Sequence, residues 1–81
     1  MIDYSKWLLD WFNKRAPHVH LSTEDNYFNA GAIDSLGIME LIEDMEQHFL
    51  IRFTQDDFQD RRFASIAGLT AIVSEKIEKK Q

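Results

Sequence analysis

An aspartate, a serine and a leucine stand together at Asp34-Ser35-Leu36, where an apolar helical pattern begins. A serine at a helix start lies beside backbone N–H groups that lack intrahelical partners, at the positive end of the macrodipole. Such a place suits a phosphate, so a phosphodiester built on the Ser35 hydroxyl would be well accommodated. The plainer role is an N-cap, which Ser and Asp both favour. Asp34 can fill that role, and the Ser35 hydroxyl is then left over for chemistry.

Other reactive arrangements are thinner. His18, His20, Glu24 and Asp25 share one polar stretch, but nothing in the pattern orients them as ligands, and no metal site is expected. Asp34, Ser35 and one of His18, His20 or His48 supply the residue types of a hydrolase triad. Adjacent Asp and Ser side chains point different ways, whereas a triad needs the acid to orient the histidine. A chain of 81 residues also has little material for an enclosed substrate cleft. No catalytic residue is assigned, and the chain reads as non-enzymatic.

The elements that must position Ser35 follow from periodicity. Residues 1–81 read as one small all-α domain of four helices, with a long loop between the first two. Tyr4, Trp7, Leu8, Trp11 and Phe12 mark one face of a first helix, capped by Asp3 and ended by Pro17. From Pro17 to Asp34 no period holds, and Leu21 and Phe28 are the expected anchors of this loop in the core. Loops this long are uncommon in compact domains and are often functional. A second helix is expected from about Leu36 to Phe49, burying Ile38, Leu41, Ile42, Met45 and Phe49. Thr54 and Asp57 cap a short third helix around Phe58, and Ser65 caps the last. That final helix buries Ile66, Leu69, Ile72, Val73 and Ile77, with Lys76, Lys79 and Lys80 near its C-terminal end.

The outward face of the second helix carries something core building does not require. Leu36, Glu40, Glu43 and Gln47 point away from the buried arc, flanked by Met39, Asp44 and Glu46. Leu36 either covers the end of the loop or forms, with Met39, the apolar centre of a partner surface ringed by Glu40, Glu43, Asp44 and Glu46. The formal charge of −5 disfavours nucleic acid and favours a basic protein partner. There is no cysteine, hence no disulfide framework and no thiolate metal site. The opening MIDYSKWLLDWF lacks the features of a signal peptide, and no apolar run is long enough to cross a bilayer. A cytoplasmic monomer without membrane insertion is expected.

The run YFNAGAIDSLGIMELIEDMEQHF resembles the attachment-site region of acyl and peptidyl carrier proteins, with their Asp-Ser-Leu signature. The resemblance covers most of the chain: a first helix, a long loop, Phe28 and Gly31 ahead of Asp34-Ser35-Leu36, the Asp56-Asp57-Phe58 turn and a final helix. It implies a four-helix bundle of acyl-carrier type in which Ser35, framed by Asp34 and Leu36, receives 4′-phosphopantetheine from coenzyme A. The arm's thiol would hold acyl or aminoacyl groups as thioesters in a fatty-acid, polyketide, nonribosomal-peptide or D-alanylation type of pathway. The implied partners are a phosphopantetheinyl transferase, an acyl or aminoacyl ligase or synthase, and downstream transferases with basic docking surfaces. Gly37, Glu43 and Thr54 depart from the housekeeping fatty-acid pattern, and the chain is more similar to stand-alone carriers served by an adenylating ligase. The competing reading is a helical adaptor without a prosthetic group, docking a basic partner through the second helix.

Overall fold

Among the described residues, four α-helices form close to where the periodicity and the caps place them, joined by one 3₁₀ turn that the sequence pattern does not announce. The computed structural model describes residues 4–80, so the Asp3 cap lies outside the described residues. The helices are α1 (Tyr4–Arg15), α2 (Ser35–Phe49), α3 (Gln55–Gln59) and α4 (Ile66–Lys80), with the 3₁₀ turn at Arg61–Ala64. No named strand occurs among them. The chain is all-α, and no described helix is long and apolar enough to cross a membrane.

Helices α1 and α2 run antiparallel, as their paired side chains show. Tyr4 and Trp7 meet Phe49, and Trp7 also stacks on His48 with centroids 4.9 Å apart. One turn on, the Trp11 indole N–H donates to Asp44 at 2.8 Å. At the far end Arg15 pairs with Glu40 while its guanidinium lies over the Trp11 ring. Beneath these ties, Leu8 and Phe12 of α1, Leu41 and Met45 of α2, and Ile66, Leu69, Ile72 and Val73 of α4 form the buried core. The two tryptophans are half-buried members of the same cluster, which accounts for their place on the Leu8–Phe12 stripe.

The long loop is anchored by a neighbour of the expected residue. Tyr27 is fully buried, whereas Phe28 is 42 % exposed and only leans on the Tyr27 ring. Leu21 packs against the core as expected. The Tyr27 hydroxyl donates to the Phe63 carbonyl, and its backbone N–H to the Ala64 carbonyl at 3.1 Å. A polar aromatic can reach across the core to satisfy a 3₁₀ carbonyl, and a phenylalanine cannot. Burial pushes the Tyr27 phenol well above its ordinary value, so it stays a donor.

The second half of the chain is held by caps. Thr54 and Asp57 form a reciprocal capping box on α3, and the Ser65 hydroxyl accepts from the Gly68 N–H at 3.1 Å to start α4. Lys76 turns from the end of α4 to pair with Asp57 at 2.7 Å and lies over the Phe53 ring. Burial works to raise the Asp57 carboxyl, but the bonds from Lys76 and Thr54 outweigh it and leave its pKa below the ordinary 3.8. A depressed folded value means stability that is present above the unfolded value and lost as pH falls through the folded one. Asp60 and Glu75, both on Arg62, shift the same way. Asp57→Asn should therefore cost about 1 kcal/mol at neutral pH. Its melting temperature should also fall less steeply than the wild type's below pH 4. Parallel slopes in a thermal series from pH 7 to 3 would contradict this assignment.

Candidate functional site

A compact turn delivers the chain to the start of α2. The Asn26 side chain accepts from the N–H groups of Phe28 and Asn29 at 2.9 and 3.1 Å. The Ala32 N–H closes back on the Tyr27 carbonyl at 3.0 Å. Gly31 sits between them at φ +75, in the left-handed region that glycine enters without a Cβ penalty. Space is not the constraint there, since a Cβ would meet nothing within 4 Å. Ala32 is buried and Ile33 half-buried, so the turn fixes both the height and the direction of the next residues.

Asp34 then takes the N-cap. Its backbone is extended, and its carboxylate accepts from the Gly37 N–H at 2.7 Å. Ser35 is the first helical residue and is exposed, and among the described residues its hydroxyl has no hydrogen-bond partner. Cap and hydroxyl are thus separate. Leu36 follows at 71 % exposure and Met39 at 58 %, so Leu36 does not serve as a cover for the loop.

Gly37 has a structural reason to lack a side chain. It is buried against the turn, and a Cβ there would stand 2.9 Å from Ile33 Cγ1 and 3.2 Å from the capping oxygen of Asp34. An acid at this position would push on the cap and add a second carboxylate beside it. An open cleft of roughly 470 Å³ lies alongside, lined in part by Arg15, His18, Ile33, Asp34, Leu36 and Gly37. It adjoins Ser35 through both chain neighbours, so a group attached to the hydroxyl has somewhere to lie.

The acids of the outward face are used unequally. Glu43 is exposed and makes no hydrogen bond or ion pair among the described residues. Glu40 is paired with Arg15, and Asp44 with Trp11. Glu46 is drawn inward: it is half-buried, and its carboxylate accepts from the Phe53 N–H at 2.9 Å. A helical wheel places Glu46 on the flank, but it cannot show that the chain reverses after α2 and brings Phe53 under it. His18 and His20 are exposed, and among the described residues no group of three His, Asp or Glu side chains is placed to hold a metal ion.

A family model described as the phosphopantetheine attachment site matches residues 12–73, which spans the end of α1, the loop, α2, α3 and most of α4. No curated protein and no solved structure matches the chain.

Proposed function

As the chain belongs to the phosphopantetheine attachment-site family, we propose that Ser35 bears the arm and that the protein is a non-catalytic carrier of acyl or aminoacyl groups. The observation that carries the assignment is the division of labour at the start of α2: Asp34 caps the helix, and the adjacent Ser35 hydroxyl is exposed and unpartnered. Family membership brings 4′-phosphopantetheine as the covalent cofactor. When bound, that group supplies the thiol on which a thioester is held. This chain has no cysteine of its own.

The chain's residues have definable parts in this. The first-turn N–H groups and the helix dipole favour an anion at Ser35. Asp34 keeps the turn rigid, Gly37 lets that cap close, and the neighbouring cleft gives the arm room. The space under α2 is filled by Leu41, Met45, Leu69, Ile72 and Val73, each 2 % exposed or less, which supports a small cargo over a long buried chain. We read the protein as a monomeric, cytoplasmic carrier served by an adenylating ligase, a phosphopantetheinyl transferase and downstream transferases. An open thiol assay tests the carrier function. Incubation with coenzyme A and a broad-specificity transferase should produce one titratable thiol per chain, against none before. A thiol count that stays at zero would favour the adaptor.

The partner surface is Leu36 and Met39 with Glu43 at its centre of charge, and Glu40 and Asp44 beside it, while Glu46 sits at its edge. Leu36→Ala should slow thiol appearance by about tenfold with little salt dependence, because a leucine contributes by burial. Glu43→Lys should slow it severalfold at low ionic strength, with the gap closing as salt rises. Both variants should melt with the wild type. A Leu36→Ala chain that loses stability but loads normally would return Leu36 to the core.

A further inference from the structure

At the opposite end of α2 the surface changes sign. Helix α2 closes on Leu50, whose N–H bonds the Glu46 carbonyl and whose backbone is left-handed at φ 58, ψ 48. It is the one non-glycine residue with positive φ among the described residues. A left-handed residue is the usual way to stop a helix, and glycine or asparagine usually fills it. A leucine there is strained by its Cβ, and it recovers little by burial, since Leu50 is 70 % exposed. Folding alone would favour another residue at this position.

The surroundings indicate what Leu50 is for. It borders a shallow cleft of about 450 Å³ shared with Ile51, Arg52, Lys76 and Lys79. In a chain of net charge −5 this is an apolar floor with a cationic rim. Lys76 is partly spent on Asp57, whereas Arg52 makes no ion pair among the described residues. The α2 face near Ser35 has the reverse pattern, an apolar centre with an acidic surround. By helical rise the two ends are roughly 20 Å apart.

We propose that Leu50 anchors a second docking surface, which takes an acidic protein segment bearing an apolar residue. Charge complementarity selects an acidic occupant, and the cleft receives its apolar side chain. A protein segment fits better than an anionic membrane: three cations supply little lipid attraction, and the acidic α2 face opposes it. A partner held here leaves Ser35 open, so an enzyme could keep the carrier tethered while another serves the arm. Because the surface does not involve Ser35, its test uses the unmodified full chain and stands apart from the attachment assignment.

The probe is a synthetic helical peptide of about 16 residues with leucines on one face and glutamates elsewhere, titrated into the ¹⁵N-labelled protein. A second peptide carries lysine in place of each glutamate. The acidic peptide should shift the amides of Leu50, Ile51, Arg52 and Lys79 and weaken with salt, and the basic one should shift Leu36 to Glu43 instead. Leu50→Gly should weaken the acidic peptide at least tenfold while melting at or above the wild-type temperature. Arg52→Glu should also weaken it, with the difference shrinking at high salt. Acidic-peptide shifts that are absent, centred on α2, or unchanged in Leu50→Gly would overturn the proposal. A drop of several degrees in Leu50→Gly would do the same, by making Leu50 part of the fold. Shifts at the same amides with phosphatidylglycerol vesicles but not with the peptide would assign the patch to lipid and overturn it as well.

Discussion

Gly68→Ala should destabilise the protein by about 2–3 kcal/mol. In a domain of this size that is a fall of roughly 10–20 °C in melting temperature. A Cβ built on Gly68 stands 1.9 Å from the Arg62 carbonyl oxygen and 2.6 Å from the Arg62 carbonyl carbon and Cα. These are backbone atoms, so no rotamer change can make room. Helix propensity alone would favour alanine by about 1 kcal/mol, and the clash decides the sign against it. The disturbance would not stay local. Arg62 is tied to Asp60 and Glu75, and the next two carbonyls, of Phe63 and Ala64, receive the hydroxyl and N–H of Tyr27. Pushing the 3₁₀ turn outward therefore slackens the loop that ends at Asp34. Urea unfolding of the two proteins checks this, and an alanine variant as stable as wild type would show that α4 and the turn are not in close contact.

Ser35→Ala should abolish loading altogether while leaving the fold intact. The side chain is exposed and the cap belongs to Asp34, so removing the hydroxyl should change stability by no more than about 0.5 kcal/mol. No other serine has the same setting. Ser22 donates its N–H to Asp25 and Ser65 caps α4, while Ser5 and Ser74 are half-buried within α1 and α4. Circular dichroism and thermal melts should superimpose on the wild type. Residual loading above a few per cent of the wild-type rate would place the attachment on another hydroxyl.

The parts legible in the sequence are those governed by local rules. Apolar spacing alone marks the buried stripes of α1, α2 and α4, because a 3.6-residue period needs no tertiary information. The Thr54, Asp34 and Ser65 caps are equally local, since each bond spans three residues. What escaped depends on chain segments that meet only in the fold. Tyr27 and Phe28 are adjacent aromatics in an aperiodic loop, and the Phe63 carbonyl, 36 residues away, decides which of them is buried. Gly68 stands inside a helical pattern, where a glycine is costly and hints at a close approach. Its partner, Arg62, cannot be read from spacing. Glu46 falls on the flank of a helical wheel, but the left-handed turn at Leu50 carries Phe53 back to it. Leu50 belongs to no stripe, so periodicity passes over it.

The proposed attachment of the arm at Ser35 is tested most directly by locating it. The protein is incubated with coenzyme A and a phosphopantetheinyl transferase, digested, and read by tandem mass spectrometry beside a Ser35→Ala control. The expected result is a single phosphopantetheine mass on the peptide spanning Asp34-Ser35-Leu36, fragmenting to Ser35, with none anywhere in the control. An adduct on a different residue, or an unmodified wild type under conditions that load a reference carrier, would contradict it.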